Sequence, residues 1–390
     1  MKVAWVTYDF EEYSVQQVNA MSGQHEVLLV MPPCESDQYQ VEPQVEHYAF
    51  HKPRLRQPIK QWQSVKSILR RIDDFRPDVV HFQQGHMWFN AALRSLKKYP
   101  LVITIHDPRH HAGDVVSRKT PQWLMDFGFR QADHVIVHGE PLARQVRELF
   151  GFREDHVHVI PHVAMGQTRD DVEVEEDPNL VLFFGRIWDY KGLDQLIAAE
   201  PILNQDVPSA RVMIAGEGED FARYRTQMKN PDHFIVHNRW VSDEERAHLF
   251  RRAAVVVLPY NEATQSGVVP VAYNYAKPVV ATDVGALAEC VEHEVTGLLV
   301  PPREPEQLAR SLARLLRDER QRHQLGKAGK QRQDAESSPG VVAERTVRVY
   351  EQACRLPTNP VQLENGPQDS DEMLTAHATV GGYSYSEEGH

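Results

Sequence analysis

Residues 183–192 read Phe183-Phe184-Gly185-Arg186-Ile187-Trp188-Asp189-Tyr190-Lys191-Gly192, and this order decides the fold. Bulky apolar residues close a buried strand, Gly185 turns the chain, and a helix opens after Gly192. Arg186 and Lys191 then stand at the carboxyl edge of a sheet, beside a helix N-terminus. Two cations next to exposed backbone N–H groups make a phosphate site. An Arg and a Lys in a loop are more often simply solvated, so a second signal is needed. It comes at Leu258-Pro259-Tyr260-Asn261-Glu262-Ala263-Thr264-Gln265-Ser266-Gly267-Val268, again strand, turn and helix. Thr264, Gln265 and Ser266 offer hydroxyl and amide groups, and Gly267 lets a ligand approach the backbone. One cationic turn and one turn of N–H donors would grip a diphosphate from both sides.

The same alternation extends outward in both directions and reads as a parallel α/β fold. Toward the N-terminus, strands are expected at Val3–Thr7, Glu26–Val30, Asp78–Phe82, Leu101–Ile105, His134–Val137 and Val157–Ile160. Helices are expected at Ile59–Phe75, Ala91–Lys98, Gln122–Gln131 and Pro141–Phe150. An acidic stretch, Gly166–Asn179, has no apolar face to bury and reads as a linker. The pattern restarts with strands at Leu180–Phe184, Arg211–Ala215, Phe234–His237, Val255–Leu258, Val279–Thr282 and Gly297–Val300. Its helices are expected at Leu193–Asn204, Asp243–Ala253, Leu287–Glu292, Pro305–Arg317 and Glu319–Gln331. The expected organisation is two facing, doubly wound Rossmann-like domains. Residues 1–165 form the first and residues 178–335 the second, with 166–177 as linker. A further helix over 336–354 follows, then a tail, 355–390, with one basic and six acidic residues that reads as disordered. Open parallel sheets bind ligands at their carboxyl edges, so the cleft between the domains is the expected site.

Bulk properties exclude several classes. A net charge of −12 over 390 residues argues against general nucleic-acid binding, which needs a basic face. No apolar run approaches the roughly 20 residues of a membrane span. Met1-Lys2-Val3-Ala4-Trp5 enters a strand directly, without a signal-peptide pattern. Cys34, Cys290 and Cys354 lack pair spacing, so a reducing cytoplasmic setting is expected. One segment runs against the charge: from His51 to Ile72 there are seven Lys or Arg residues and no acid. Ile59, Trp62, Val65, Leu69 and Ile72 recur there at helical spacing. The plain reading is a helix packing this stripe on the first sheet. The functional one is that Lys52, Arg54, Arg56, Lys60, Lys66, Arg70 and Arg71 meet an anionic membrane or acceptor.

Four ordered motifs make the chain resemble a family 4 glycosyltransferase, of the retaining, two-domain GT-B type. They are Phe184-Gly185-Arg186 with Lys191-Gly192, Ala215-Gly216-Glu217-Gly218, the Ala263–Val268 turn with Lys277-Pro278-Val279, and Thr296-Gly297-Leu298-Leu299-Val300-Pro301-Pro302. The first half adds Pro77-Asp78-Val79-Val80-His81 and Thr104-Ile105-His106-Asp107. The resemblance implies that Arg186 and Lys191 hold the donor diphosphate, with Gly185 and Gly216 at the turns. The backbone amides of Gly267 and Val268 would complete the grip, with Thr264, Gln265 and Ser266 beside them. It places His106 near the transferred sugar and Trp240 and Val241 at the nucleotide base. The implied partners are a nucleotide-diphosphate sugar and a hydroxyl acceptor, with no metal and no other cofactor.

Two departures stand out. The family's Glu-x7-Glu pair falls on Thr264 and Ala272, so both carboxylates are missing and Ala-Thr-Gln-Ser-Gly takes their place. Glu262 is the nearest stand-in and is counted with His106, Arg186 and Lys191 among the catalytic candidates. The glycine-rich loop common after the first strand is replaced by Asp9-Phe10-Glu11-Glu12-Tyr13. His106-Asp107-Pro108-Arg109-His110-His111 could be a metal cluster but reads as easily as a sugar-binding loop. Gly216-Glu217-Gly218 is no dinucleotide fingerprint, because Phe221 takes the third glycine position. Two other functions remain compatible with the residues: a sugar-nucleotide-binding protein that has lost catalysis, and a sugar-nucleotide epimerase.

Overall fold

The computed structural model describes residues 1–33, 39–111, 120–166 and 173–355. The tail expected to be disordered lies outside the described residues, apart from Arg355, as do Cys34 and the middle of the acidic linker.

The first sheet contains β1 (Lys2–Thr7), β2 (Glu26–Met31), β3 (Glu46–Ala49), β4 (Val79–Gln83), β5 (Leu101–Thr104), β6 (His134–Val137) and β7 (Val157–Val159). Its order is β3-β2-β1-β4-β5-β6-β7, with every pairing parallel. Helices α1 (Glu11–Met21), α2 (Pro58–Phe75), α3 (Met87–Ala92), α4 (Gln122–Phe129) and α5 (Glu140–Phe150) wind around it. The second sheet contains β8 (Leu180–Phe184), β9 (Arg211–Ala215), β10 (Phe234–His237), β11 (Val255–Leu258), β12 (Val279–Thr282) and β13 (Gly297–Val300). They run β10-β9-β8-β11-β12-β13, again all parallel. Its helices are α6 (Leu193–Asp206), α7 (Ala222–Arg225), α8 (Asp243–Arg252), α9 (Val268–Asn274), α10 (Leu287–Cys290), α11 (Pro305–Arg317) and α12 (Glu319–Glu336), and α13 (Pro339–Arg355) follows them.

Burial on both faces explains the unbroken apolar runs. In β1, Ala4 and Val6 enter one core, while Val3 and Trp5 enter the other. In β8, Val181 and Phe183 face one side, and Leu180 and Leu182 the other. Strand order reverses between β1 and β4 and between β8 and β11. Those two switch points are where such sheets leave a crevice.

Two local readings are corrected. The inward stripe of α2 is Gln61, Val65, Ile68, Ile72 and Phe75, whereas Ile59 and Trp62 are 73% and 59% exposed. Gln61 faces in because its Nε2 donates to the Pro53 carbonyl at 2.6 Å. The acidic stretch also does more than connect. Glu176 pairs with Lys277 at 2.5 Å and with Arg322 at 3.1 Å, and Asp177 pairs with Arg211. Helix α13 returns to the first domain, where Tyr350 is fully buried with its hydroxyl 2.5 Å from His81 Nδ1.

Arg322 is 1% exposed and Lys277 7%, so Glu176 neutralises two largely desolvated cations. Glu176→Ala should therefore cost about 3 kcal/mol, read as an earlier urea midpoint for the second domain. An unchanged midpoint would mean that water already solvates this cluster.

Candidate active site

Each half of the cleft is built from strand ends. The Gly185 turn is locked to its neighbour: Gly185 N–H donates to the Ala215 carbonyl at 3.0 Å, and Ile187 N–H to that of Glu217 at 2.9 Å. A Cβ on Gly216 would sit 2.0 Å from the Gly185 oxygen, and its φ of 147° also favours glycine. Gly216 is thus a buried support for the Arg186 turn. Asn261 N–H donates to the Tyr190 carbonyl at 2.8 Å, tying the Lys191 turn to the segment after β11. Gly192, at φ 65°, lies so close that a Cβ would meet the Pro259 oxygen at 1.9 Å.

These locks bring Gly185, Arg186, Lys191, Gln265, Ser266, Gly267 and Val268 around one cavity of about 240 Å³. Lys191 Nζ sits 3.9 Å from the centroid of the Tyr260 ring, and burial pushes its pKa down. A cation stripped of water in this way interacts strongly with an incoming anion. Gln265 Oε1 is buried and has no hydrogen-bond partner among the described residues. Ser266 Oγ accepts from the Val268 N–H at 3.2 Å, so that amide is already engaged.

The first domain supplies the facing wall. A second cavity of about 700 Å³ is lined by Tyr8, Lys52, Arg54, Gln84, His86 and Arg109, among others. Asp107, His111 and Arg186 line both spaces, which makes them one continuous cleft. Phe10 closes the β1–α1 turn in the left-handed region, at φ 63°, where other chains would use glycine.

A polar bridge joins the walls. Asp107 Oδ1 accepts from His111 Nε2 at 3.1 Å and also from Thr264 Oγ1. His111 Nδ1 lies 3.1 Å from Glu262 Oε1, and its ring stacks on Tyr190 at 4.4 Å between centroids. Burial alone would raise the Asp107 carboxyl. His111, Thr264 and Arg186 outweigh it and hold the pKa below the usual carboxylate range. Burial would likewise lower the His111 pKa, but Asp107 and Glu262 raise it above the ordinary histidine value. Sequence reasoning weighed Asp107 and His111 only within a stretch that could be a metal cluster or a sugar-binding loop, since Thr264 and Glu262, their partners across the cleft, lie more than 150 residues away.

Other candidates fall outside this lining. His106 is 0% exposed, stacked 4.1 Å from Phe10, with Nε2 3.1 Å from Gln83 Oε1. Trp240 is 72% exposed and Val241 is buried in the second core. Ala272, at the second missing carboxylate, is fully buried among apolar neighbours.

Comparison with known proteins agrees with this architecture. The family model "Glycosyltransferase Family 4" matches residues 11–163, and "Glycosyl transferases group 1" matches residues 165–332. An uncharacterised glycosyltransferase of Methanocaldococcus jannaschii is 27% identical, over 72% of this chain and 76% of its own. Glycogen synthase of Mycobacterium tuberculosis is 29% identical, over 73% and 71%. Sucrose-phosphate synthase of Thermosynechococcus elongatus superposes with a TM-score of 0.70 at 18% identity, over 90% of this chain and 98% of its own. Anabaena HepE, solved with UDP-glucose, gives 0.64 at 16%, over 90% and 100%. The two models divide the chain as its two sheets do: it belongs to the family 4 glycosyltransferases of GT-B architecture, and is an enzyme that transfers a sugar from a nucleotide-sugar donor.

Proposed function

We propose that this enzyme is a retaining glycosyltransferase that needs no metal on the diphosphate. It would pass a sugar to a hydroxyl acceptor in cytoplasmic glycan, polysaccharide or glycolipid synthesis. The observation that carries this reading is the continuous cleft in which Arg186, Lys191 and the 265–268 turn face the large cavity of the first domain.

Breaking a sugar–phosphate bond puts growing negative charge on the diphosphate while the sugar becomes oxocarbenium-like. Arg186 and Lys191 are fixed where that charge develops and stabilise the transition state more than the ground state. The Gly267 amide and Gln265 lie alongside. Asp107 faces the space where the sugar would sit, beside Thr264. The acceptor would occupy the larger cavity, with Lys52, Arg54, Gln84 and Arg109 around it. Retention follows if a donor phosphate oxygen takes the acceptor's proton, which requires no carboxylate nucleophile.

The rival reading, a binding protein without turnover, draws on the residues Thr264 and Ala272. Asp107 weakens it, because it brings a carboxylate to Thr264 from the other wall. An epimerase would have no use for the larger cavity. Peripheral contact with an anionic membrane is supported by exposed Ile59 and Trp62, with Lys60 and Lys66 on the same helix. Lys52 and Arg71 are drawn away from that face by Asp9 and Glu46. Among the described residues no helix is long and apolar enough to cross a membrane.

Arg186→Ala and Lys191→Ala should each lower kcat about 100- to 1,000-fold, with the fold intact by circular dichroism. Added Mg²⁺ should leave the wild-type rate unchanged, and proton NMR of the first-formed product should show the donor's anomeric configuration. Inversion, or a rate that depends on Mg²⁺, would overturn the mechanism.

The polar bridge gives a pH window. The contribution of His111 is complete below the ordinary histidine pKa and is lost as pH rises through its raised value. That of Asp107 is complete above the ordinary carboxylate pKa and is lost as pH falls through its lowered value. Donor affinity should therefore fall on the alkaline side, and His111→Gln should remove that limb. An alkaline limb that persists in His111→Gln would assign it to another group. Liposomes rich in anionic lipid should sediment the wild type at low salt but not Trp62→Glu; equal sedimentation of both would exclude this face.

A further inference from the structure

The first sheet ends at β7, with no strand beyond it. A cavity of about 410 Å³ lies at this edge, lined by residues 157–160, by Ala143 and Arg147 of α5, and by Arg345, Arg348 and Gln352 of α13. The two helices belong to opposite faces of the sheet. Ala143 and Val146 enter one core, and Val349 and Tyr350 the other. The cavity is therefore where one more strand would continue the sheet between its two helix layers.

The edge itself is unsatisfied. Ile160 N–H donates to the Val137 carbonyl at 2.9 Å, so by the alternation of a ladder the N–H and C=O of Val159 point away from β6. No backbone partner meets them among the described residues. An edge with free donors and acceptors is a template for another strand. Charge narrows the choice. Arg147, Arg345 and Arg348 outnumber Glu140 and Glu154 in the lining, on a chain whose net charge is −12. Arg147 lies 3.7 Å from Glu154, which is 92% exposed, and Arg348 pairs with Glu344 in open solvent. Such exposed pairs are weak. Arg345 has no side-chain partner among the described residues.

The chain carries a segment of matching chemistry. Helix α13 ends at Arg355, and residues 356–390 hold six acids and neither Lys nor Arg. Asp369, Asp371 and Glu372 come just before Leu374-Thr375-Ala376-His377-Ala378-Thr379-Val380, where apolar and polar residues alternate without a break. That period is the signature of a strand, and Gly381-Gly382 punctuates its end. Gln352, in the cavity lining, lies within one turn of Arg355. The stretch from Arg355 to Asp371 can span up to about 50 Å, so reach is no obstacle.

We propose that residues 374–380 add to β7 as a further strand, with Asp371 and Glu372 set against Arg345 and Arg348. Tethering makes the docking intramolecular, at an effective concentration of order 1 mM, so modest contacts suffice. The added strand satisfies Val159 and shields the edge from pairing with other chains. This departs from the sequence expectation of a disordered tail, which rested on composition.

Hydrogen exchange on the full chain tests it. The Val159 amide and those of residues 374–380 should exchange at least about 100-fold more slowly than in free peptides. Proline gives a ladder no N–H, and neighbouring strand residues point theirs opposite ways. At least one of Ala376→Pro and His377→Pro should therefore free Val159 together with the tail, leaving β4 protected. Arg345→Glu combined with Arg348→Glu should do the same. Tail amides exchanging at free-peptide rates in the wild type, or a Val159 amide equally protected in both proline variants, would overturn the proposal. Protection that fades on dilution, with a dimer seen by sedimentation, would give the edge to a second copy and overturn it as well.

Discussion

Glu12 of α1 and Arg246 of α8 meet across the cleft at 3.1 Å, with side chains only 6% and 10% exposed. Two charges taken this far out of water cost several kcal/mol unless their remaining valences are met. Here most are. Glu12 also accepts from the Gly166 N–H at 2.6 Å and from the Tyr39 hydroxyl at 3.0 Å, and Arg246 reaches Asp243 at 3.1 Å. Desolvation still pushes the Glu12 carboxyl up, against the pull of Arg246. A pair of this kind adds little net stability, but it accepts one partner in one place. It fixes how the carboxyl edges of the two sheets face each other, and every contact of the cleft depends on that.

Local sequence explains how each partner is held. Ser242 caps α8, its Oγ accepting from the Glu245 N–H, with Asp243, Glu244 and Glu245 in the first turn and Arg251 and Arg252 in the last. Those charges suit the helix dipole and anchor the turn that carries Arg246. Gly166, at φ 89°, bends the crossing segment and offers its N–H to Glu12.

The fold was legible in the sequence because strands buried on both faces leave unbroken β-branched runs, and twelve of the thirteen were read that way. The one missed, β3, is an edge strand with Glu46 and His47 exposed. Helix α1 was missed for a related reason: Glu12, Ser14 and Gln17 are among its buried residues, so it shows no apolar stripe. Trp62 was placed inward on helical spacing, whereas Gln61 takes the inward position with its Nε2 on the Pro53 carbonyl. In the site, Arg186 and Lys191 were legible because their turn is local. Asp107, His111, Glu12 and Arg246 were not, since each gains its meaning from the facing domain.

The missing Glu-x7-Glu pair now has a physical account. Ala272 is fully buried in the second core, where an ionised carboxylate would be expensive, so that function has no room there. Thr264 keeps the other position polar and hydrogen-bonds to Asp107 on the opposite wall. A carboxylate carried on the donor domain is present whether the cleft is open or closed. One carried on the facing domain arrives only when the walls meet. Thr264 thus meets a carboxylate from the facing domain, a contact that a motif comparison confined to one domain does not see.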